Sequence, residues 1–576
     1  MQREVNMKNQ TINPFFKFEN SSLPLGFEVP DVSMFGMLRI SAETRSDDLA
    51  YEYFGTQCTY RRLVERIEKI SGAYHGLGVR KDDIVTIVMP NTPEAVISIY
   101  ALNRIGAVAN ILHPLSAQEE IKEHINRVGS KVLLCVDICS EKISHIIDKT
   151  PVKKVIIASA GDSMPAVMKT LYALKCMKNF KYDKSDKRYL SWKAFEKLSG
   201  DAKEYLPTGE MNNETAIILH SGGTTGTPKD IMLSNRNFNA FGIQAVLTLR
   251  DVKAGDKILA ILPIFHGFGL GVCVHVSFCF GACSVLIPQF NSKKFAGILK
   301  KYKPSMLFGV PTLYDALLKA KGTDKIDFSF LKYAVSGGDT LPEKLEKSVN
   351  EFLAAHNSDI KICEGYGMTE GLAALSLSVG ENYRSRTIGK PLIGTEMCIV
   401  EPGTNNVLPP DTDGELCVSG PTVMIGYRNN PQETENVLRT HADGKVWLHT
   451  GDMASMDKDG FVHYKLRIKR MMITSGFNVY PSQIESVIEE LDFVDKCVVV
   501  PIPHTYKKEV AKAYIVLKDG KAKNEETEKE IKEYCKKKLM HYSVPYKYQF
   551  VDLLPKTAYN KIDFMKLQKE SAREAV

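Results

Sequence analysis

The sequence has no strong charge of either sign. Its 75 Lys and Arg against 68 Asp and Glu leave a formal net charge of +7 over 576 residues. That balance favours anionic small molecules only weakly and gives no reason to expect nucleic acid, whose reading motifs are also missing. Clustered cysteines are missing too. The 12 cysteines are scattered, and the close pairs, Cys135/Cys139 and Cys279/Cys283, have no nearby histidines at zinc spacing. A disulfide scaffold and a zinc module are excluded, and reduced thiols in a cytoplasmic enzyme are expected, several of them in the core. Met1 to Glu19 is polar and mixed, without the charged-then-apolar pattern of a signal peptide. One run, Ile264 to Phe290, contains no Asp, Glu, Lys or Arg and has the length of a membrane span, about 20 residues. Its glycines, its two histidines and Pro288 fit a helix followed by a buried strand instead.

What is present is an alternation of helix and strand in a chain too long for one core. Tyr60 to Leu77 has apolar residues at helical spacing (Leu63, Ile67, Ile70, Tyr74) and stops at Gly78. Asp83 to Met89 reads as a strand, Ala95 to Ile105 as an apolar helix, and Lys131 to Val136 and Lys154 to Ala158 as further strands. This order predicts a parallel sheet wound by helices. Gly161 to Leu206 interrupts it. There Ala166 to Phe180 mixes apolar residues with lysines, either as a solvated surface helix or as a basic amphipathic patch touching anionic membrane through 166–181.

The most informative stretch is Ser221-Gly222-Gly223-Thr224-Thr225-Gly226-Thr227-Pro228-Lys229, between two apolar strand-like runs. Glycines permit tight turning and close approach. Hydroxyls and backbone amides can face an anion, and Lys229 adds a full charge. Pro228 excludes the common P-loop, which needs Gly-Lys-Ser/Thr. Downstream, strands at Lys257–Leu262, Gly281–Pro288, Ser305–Val310, Phe330–Val335 and Ile360–Cys363 run into loops rich in glycine and polar groups. Such loops at strand ends converge on one crevice. From Thr387 to Gly451 short strands and turn clusters predict a small β unit, and past Leu466 a compact α+β tail follows.

Several motifs in this order resemble the adenylate-forming superfamily of acyl- and aryl-CoA synthetases, luciferases and adenylation domains. They are the 221–229 loop, Phe265-His266-Gly267-Phe268-Gly269, Gly365-Tyr366-Gly367-Met368-Thr369-Glu370, Gly389-Lys390-Pro391 and Gly414-Glu415-Leu416. Thr450-Gly451-Asp452, Arg467, Gly476 to Pro481, and Pro555-Lys556-Thr557 with Lys561 complete the series. The resemblance covers about Tyr60 to Ile562. It implies an α/β fold: a large N-terminal domain, 1–466, of two wound α/β subdomains plus a β unit at about 387–466, and a small mobile α+β lid, 467–576.

It also implies a reaction. A carboxylate attacks the α-phosphate of ATP to give an acyl-adenylate, and the thiol of coenzyme A, or of an acyl carrier protein, then displaces AMP. The first step brings anions together and calls for Mg²⁺ and fixed positive charge. By the resemblance, Lys561, Thr369, Glu370 and Lys229 are catalytic, and Glu370 and Thr225 hold Mg²⁺. Ser221 to Thr227, Gly338, Gly365, Tyr366 and Gly367 take the nucleotide, with Asp452 and Arg467 on the ribose. His266, Gly267, Phe268, Val310 and Gly337 wall the acid pocket, Lys469 is the hinge, and the Gly476 loop serves the thiol step. Departures from the pattern are Asp230 where glycine is usual, Asn560 before Lys561, Leu466 before Arg467, and Ile473 and Ser475. His266 stands where amino-acid-activating relatives carry aspartate, which disfavours an amine-bearing substrate. A fatty acid is expected first and an aryl acid second, with a steroidal ring system also open. A nucleotide-binding regulator without catalysis is disfavoured by the presence of Lys561, Glu370 and Asp452 together.

Overall fold

In a computed structural model, residues 29–176, 182–183, 185–207, 213–221, 229–474, 477–556 and 562–572 are described. The chain divides into two compact units: Met1–Glu396 with Val418–Arg439, and Met397–Cys417 with Thr440–Val576.

Among the described residues, the first unit is built on two large sheets. One runs, in spatial order, Gly426–Tyr427, Lys229–Ser234, Thr215–Ser221, Val108–Leu112, Ile84–Val88, Val132–Val136, Lys154–Ala158 and Tyr189–Ser191. From Thr215–Ser221 onward every pairing is parallel. The other sheet has a parallel centre, from Ile362–Gly367 through Tyr333–Gly337, Met306–Gly309, Lys257–Ala260 and Cys283–Leu286 to Leu49–Tyr53. The wound parallel sheet read from the alternation is therefore present twice, and antiparallel strands close both edges of the second sheet.

The helices form where apolar periodicity meets a cap. Thr59 accepts the Arg62 N–H at the start of Tyr60–Gly76, whose Leu63, Ile67, Ile70 and Tyr74 are all buried. Thr92 caps Pro93–Arg104 with proline in the first turn, where a missing N–H costs nothing. Pro93–Asn103 of that helix is buried on every face, as expected of a helix sandwiched in a core. Ser234 and Asn237 form a reciprocal capping box at Asn235–Thr248. The uncharged run at 264–290 becomes a π-helical stretch, Phe268–His275, a short helix, Val276–Phe280, and a buried strand, Cys283–Leu286. Among the described residues no helix is long and apolar enough to cross a membrane.

Two local expectations are corrected. Glu364-Gly365-Tyr366-Gly367 is not a loop after a strand but the strand itself, Ile362–Gly367, paired antiparallel with Ala374–Leu377. The reason is steric: a Cβ on Gly367 would lie 1.5 Å from the Ala373 carbonyl oxygen, so only glycine lets the two backbones come this close. Likewise Ser336 and Gly337 finish the Tyr333–Gly337 strand, and the turn starts at Gly338, whose φ is +79°.

The second unit holds a small sheet in which Val446–Met456 pairs antiparallel with Val462–Arg467. It also holds an α+β body. There the long strands Val494–His504 and Lys508–Leu517 pair antiparallel, with the helices Pro481–Glu489 and Glu525–Lys538 contributing Ile484, Ile488, Ile531 and Cys535 to the core.

Candidate active site

The phosphate-loop sequence turns out to join two antiparallel strands. Ser221 pairs with Lys229 and His220 with Asp230 across the hairpin. Residues 222–228, which include Gly222, Gly223, Thr224, Thr225, Gly226 and Thr227, lie outside the described residues, as do Gly476, Lys561 and the side chains of Ser221 and Lys469. The backbone at Lys469 belongs to a single 3-10 turn, Ile468–Arg470.

The strand that leaves the hairpin is anchored by groups far away in sequence. Lys229 Nζ contacts the Glu433 carboxylate and lies 4.6 Å from the Tyr427 ring centroid. Asp230, one residue on, points the other way into a buried polar network. It accepts the Nη2–H of Arg127 at 2.7 Å, takes the Nε–H of the same guanidinium, and accepts the His220 Nδ1–H at 2.9 Å. Arg127 Nη2 also donates to His124 Nδ1 at 2.7 Å, and His220 Nε2 faces the Asn110 side-chain amide at 2.7 Å. Despite the cost of burial, these partners hold the Asp230 carboxyl far below the ordinary range, and burial pushes the His220 imidazole down to about 4. The network is thus a carboxylate, a guanidinium and the neutral imidazole of His220, with His124 against the guanidinium.

Glu370 is reached from the same side. The Tyr427 hydroxyl donates to Glu370 Oε1 at 3.0 Å, and the Met424 N–H donates to the Glu370 carbonyl at 2.8 Å. Thr369 and Glu370 form a buried 3-10 turn at the end of the Ile362–Gly367 strand. Tyr427 therefore touches both Lys229 and Glu370, so these two predicted residues come together through a third that sequence reasoning missed. The Glu370 carboxylate is an oxygen donor of the kind Mg²⁺ takes.

The predicted pocket residues also converge. A Cβ on Gly337 would sit 3.1 Å from the Gly365 carbonyl oxygen and 3.3 Å from the Phe268 ring. One on Gly338 would meet Val310 at 3.5 Å, and one on Gly267 would collide with the Leu372 carbonyl oxygen. The backbone at 267–268, 310, 337–338 and 365 thus packs into one continuous wall, with Phe268 and Val310 as its apolar side chains. His266 Nδ1 accepts the Phe268 N–H at 3.2 Å, which fixes the ring. Tyr366 is buried within its strand.

In the second unit, the register places Asp452 opposite Arg467, with Arg467 Nε 3.0 Å from the buried Asp452 carboxylate. Arg467 Nη1 also donates to the Thr450 carbonyl at 2.9 Å. The Gly414-Glu415-Leu416 motif supports this corner. Glu415 accepts the Gly451 N–H and faces His449 Nδ1, each at 3.1 Å, and the Leu416 carbonyl accepts the Thr450 hydroxyl at 2.7 Å. Gly451, just before the aspartate within the Val446–Met456 strand, has φ +69°, a conformation glycine adopts readily.

Tyr427, Glu433, Arg127 and His124 were not singled out from the sequence, where nothing distinguishes them. His220 and Asp230 did carry a signal: a histidine and an aspartate that flank the loop symmetrically.

Two family descriptions match the chain: AMP-binding enzyme over residues 38–428, and AMP-binding enzyme C-terminal domain over 483–561. A long-chain-fatty-acid–CoA ligase of Bacillus subtilis is 30% identical over 558 residues, covering 96% of this chain and 97% of that protein. The crystal structure of ATP-bound MatB from Rhodopseudomonas palustris superposes with a TM-score of 0.77 at 25% identity, covering 93% of this chain and 98% of that one. An anthranilate CoA ligase, AuaEII, in complex with anthranoyl-AMP, shares the fold with a TM-score of 0.81 at 22% identity, covering 96% of this chain and 98% of that one. With the family description spanning most of the chain and a relative aligned along nearly its whole length, this chain belongs to the AMP-binding enzyme family.

Proposed function

We propose that this chain activates a long-chain fatty acid with ATP and transfers the acyl group to coenzyme A. The observation that carries the reading is the near-full-length relationship to a long-chain-fatty-acid–CoA ligase. The apolar side chains of Phe268 and Val310 beside Gly337 and Gly338 support it, since an acyl chain offers nothing to a polar pocket.

The acid's carboxylate oxygen attacks the α-phosphorus, and diphosphate leaves. The thiolate of coenzyme A then attacks the acyl carbon, and AMP leaves. Lys229 and Lys561 would supply fixed positive charge where the anions meet, and Thr369 a hydroxyl to the α-phosphate. Glu370 and Thr225 would hold Mg²⁺, which offsets phosphate charge when bound. Asp452 accepts hydrogen bonds only, which suits two ribose hydroxyls, and Arg467 holds its carboxylate in place. Lys469 would be the hinge between half-reactions, and the Gly476 loop would replace Lys561 during thiol attack. A carrier-protein acceptor is not favoured, because the relationship that carries the reading is to an enzyme named for CoA.

The test is mass spectrometry of a reaction containing ATP, Mg²⁺, CoA and a pool of fatty, aryl and steroidal acids. Accumulation of a long-chain acyl-CoA with AMP is expected. An aryl- or steroidal-CoA product would overturn the substrate class, and adenylate without thioester would overturn the acceptor. Lys561→Ala should abolish adenylate formation; retained activity would displace that lysine from the role given to it.

A further inference from the structure

The helix Ala166–Cys176 faces the wrong way for a helix that stabilises a core. Its inner side is its polar one: the Tyr172 hydroxyl donates to Asp137 Oδ1 at 3.2 Å, and Lys169 Nζ reaches the Asp162 carbonyl and carboxylate at 3.1 and 3.4 Å. Tyr172 packs over Gly161, and Cys176 is buried. The apolar residues point outward. Val167, Leu171 and Leu174 are 74%, 62% and 65% exposed, and Met168 beside them is 38% exposed. Spacings of four and three residues align Val167, Leu171 and Leu174 in one ridge along the helix. A contiguous exposed ridge of this kind marks an interaction surface, where a scattered exposed leucine would not.

Charge identifies the partner. The stretch from 166 to 188 holds seven Lys and Arg against two Asp, in a chain whose total excess is only +7. Lys169 is paired with Asp162, and Arg188 with Asp148 and Asp186, which leaves five lysines to set the sign of this segment. An apolar ridge followed by a basic segment is the pattern of a helix lying in the headgroup layer of an anionic membrane, with leucines in the acyl boundary and lysines at the phosphates. The helix also sits on a meaningful edge. Asp137 and Asp162, its anchors, follow the C-terminal ends of the Val132–Val136 and Lys154–Ala158 strands. The phosphate-loop sequence leaves the C-terminal end of Thr215–Ser221, parallel to them in the same sheet. We propose that the Val167–Leu171–Leu174 ridge docks this enzyme on an anionic lipid surface, at the sheet edge from which the nucleotide loop emerges. The benefit to catalysis rests on the fatty-acid reading, because a long-chain acid dissolves in that same surface; the docking itself does not.

The experiment is flotation of the full-length protein with vesicles of phosphatidylcholine alone or mixed with phosphatidylglycerol, comparing wild type with the double variant Leu171→Glu, Leu174→Glu. Wild type should float with the anionic vesicles and not with the neutral ones, and high salt should weaken the association. The variant should lose at least about tenfold in partitioning, as expected for losing two apolar anchors and adding two like charges to the membrane's own. Its circular dichroism and its acyl-CoA synthesis from a detergent-dissolved acid should match wild type, so a wrong substrate assignment would show in that assay and not in flotation. Failure of wild type to float, or flotation unaffected in the variant, would overturn the proposal. So would a wild-type dimer in vesicle-free solution that the variant dissociates, since the ridge would then bind a second copy. Val167→Glu alone, at the far end of the ridge, gives the same reading should the double variant fold poorly.

Discussion

Asp230 and Arg127 meet through two hydrogen bonds, 103 residues apart in sequence, and so tie the Gln118–Val128 helix to the strand that follows the phosphate loop. Where the family usually has glycine, this chain carries a buried carboxylate with a dedicated cation. The acid does not weaken Lys229 as a neighbour, because its charge is already taken up on the opposite face of the strand.

Removing the cation alone should be worse than removing both charges. Arg127→Leu leaves Asp230 buried without its main partner, at a cost of about 3 kcal/mol, whereas Arg127→Leu with Asp230→Gly should recover most of that. Urea denaturation midpoints of the single and double variants check this; equal losses in both would refute the coupling.

The pH dependence of stability is a balance. His220 and His275 are held down to about 4 and about 3 by burial, so the unfolded chain binds their protons first and they lower stability as pH falls below about 6.5. Glu94 and Glu364 are pushed up to about 7, also by burial. The native state keeps their protons longer, so they lower stability as pH rises from about 4.5 toward 7. The two pairs oppose each other over one window, and wild type should change little between pH 5 and 7. His275→Gln removes one arm and should favour pH 5 over pH 7 by about 2 kcal/mol relative to wild type. Denaturant titrations at the two pH values measure that tilt, and an unchanged difference would contradict it.

Glu370 and Tyr427 separate chemistry from placement. Glu370→Gln keeps shape but loses the charge proposed for Mg²⁺, and adenylation should fall about 100- to 1,000-fold. Tyr427→Phe removes only the hydroxyl that positions Glu370, a net loss of about 1 kcal/mol or some fivefold in rate. Diphosphate exchange at varied Mg²⁺ distinguishes them: the Gln variant should need more metal, the Phe variant should not.

Asp452→Asn replaces a buried acceptor with a group that also donates, beside Arg467. The expected effect is a KM for ATP raised by roughly tenfold or more, from about 1.5–3 kcal/mol per charged hydrogen bond, with the KM for the fatty acid unchanged. An equal rise in both would remove Asp452 from the ribose.

How much of this was legible in advance follows from the range of each interaction. Leu63, Ile67, Ile70 and Tyr74 announce their helix because the periodic signal is local and burial follows it. Gly365 and Gly367 misled, because glycine marks a loop and a close strand pairing equally well, and only the partner at Ala373 decides between them. Tyr427 sits on a two-residue edge strand whose pairing to Met232 and Ile231 is set by the fold. Its contacts with Lys229 and Glu370 therefore have no counterpart in local sequence. Residues recognised through the ordered motifs, such as Asp452 and Arg467, were legible for another reason: a family pattern already encodes their long-range pairing.

The cysteines have a use of their own. Eleven of the twelve cysteines are buried and Cys398 is partly so, and they are spread through both units. A thiol sealed in this way reacts with an alkylating reagent only when its surroundings open. Timed alkylation followed by peptide mapping would therefore report the opening of each region separately, with Cys58, Cys135, Cys283 and Cys363 for the two large sheets and Cys497 and Cys535 for the α+β body. The chain carries, without any engineering, its own set of clocks for local unfolding.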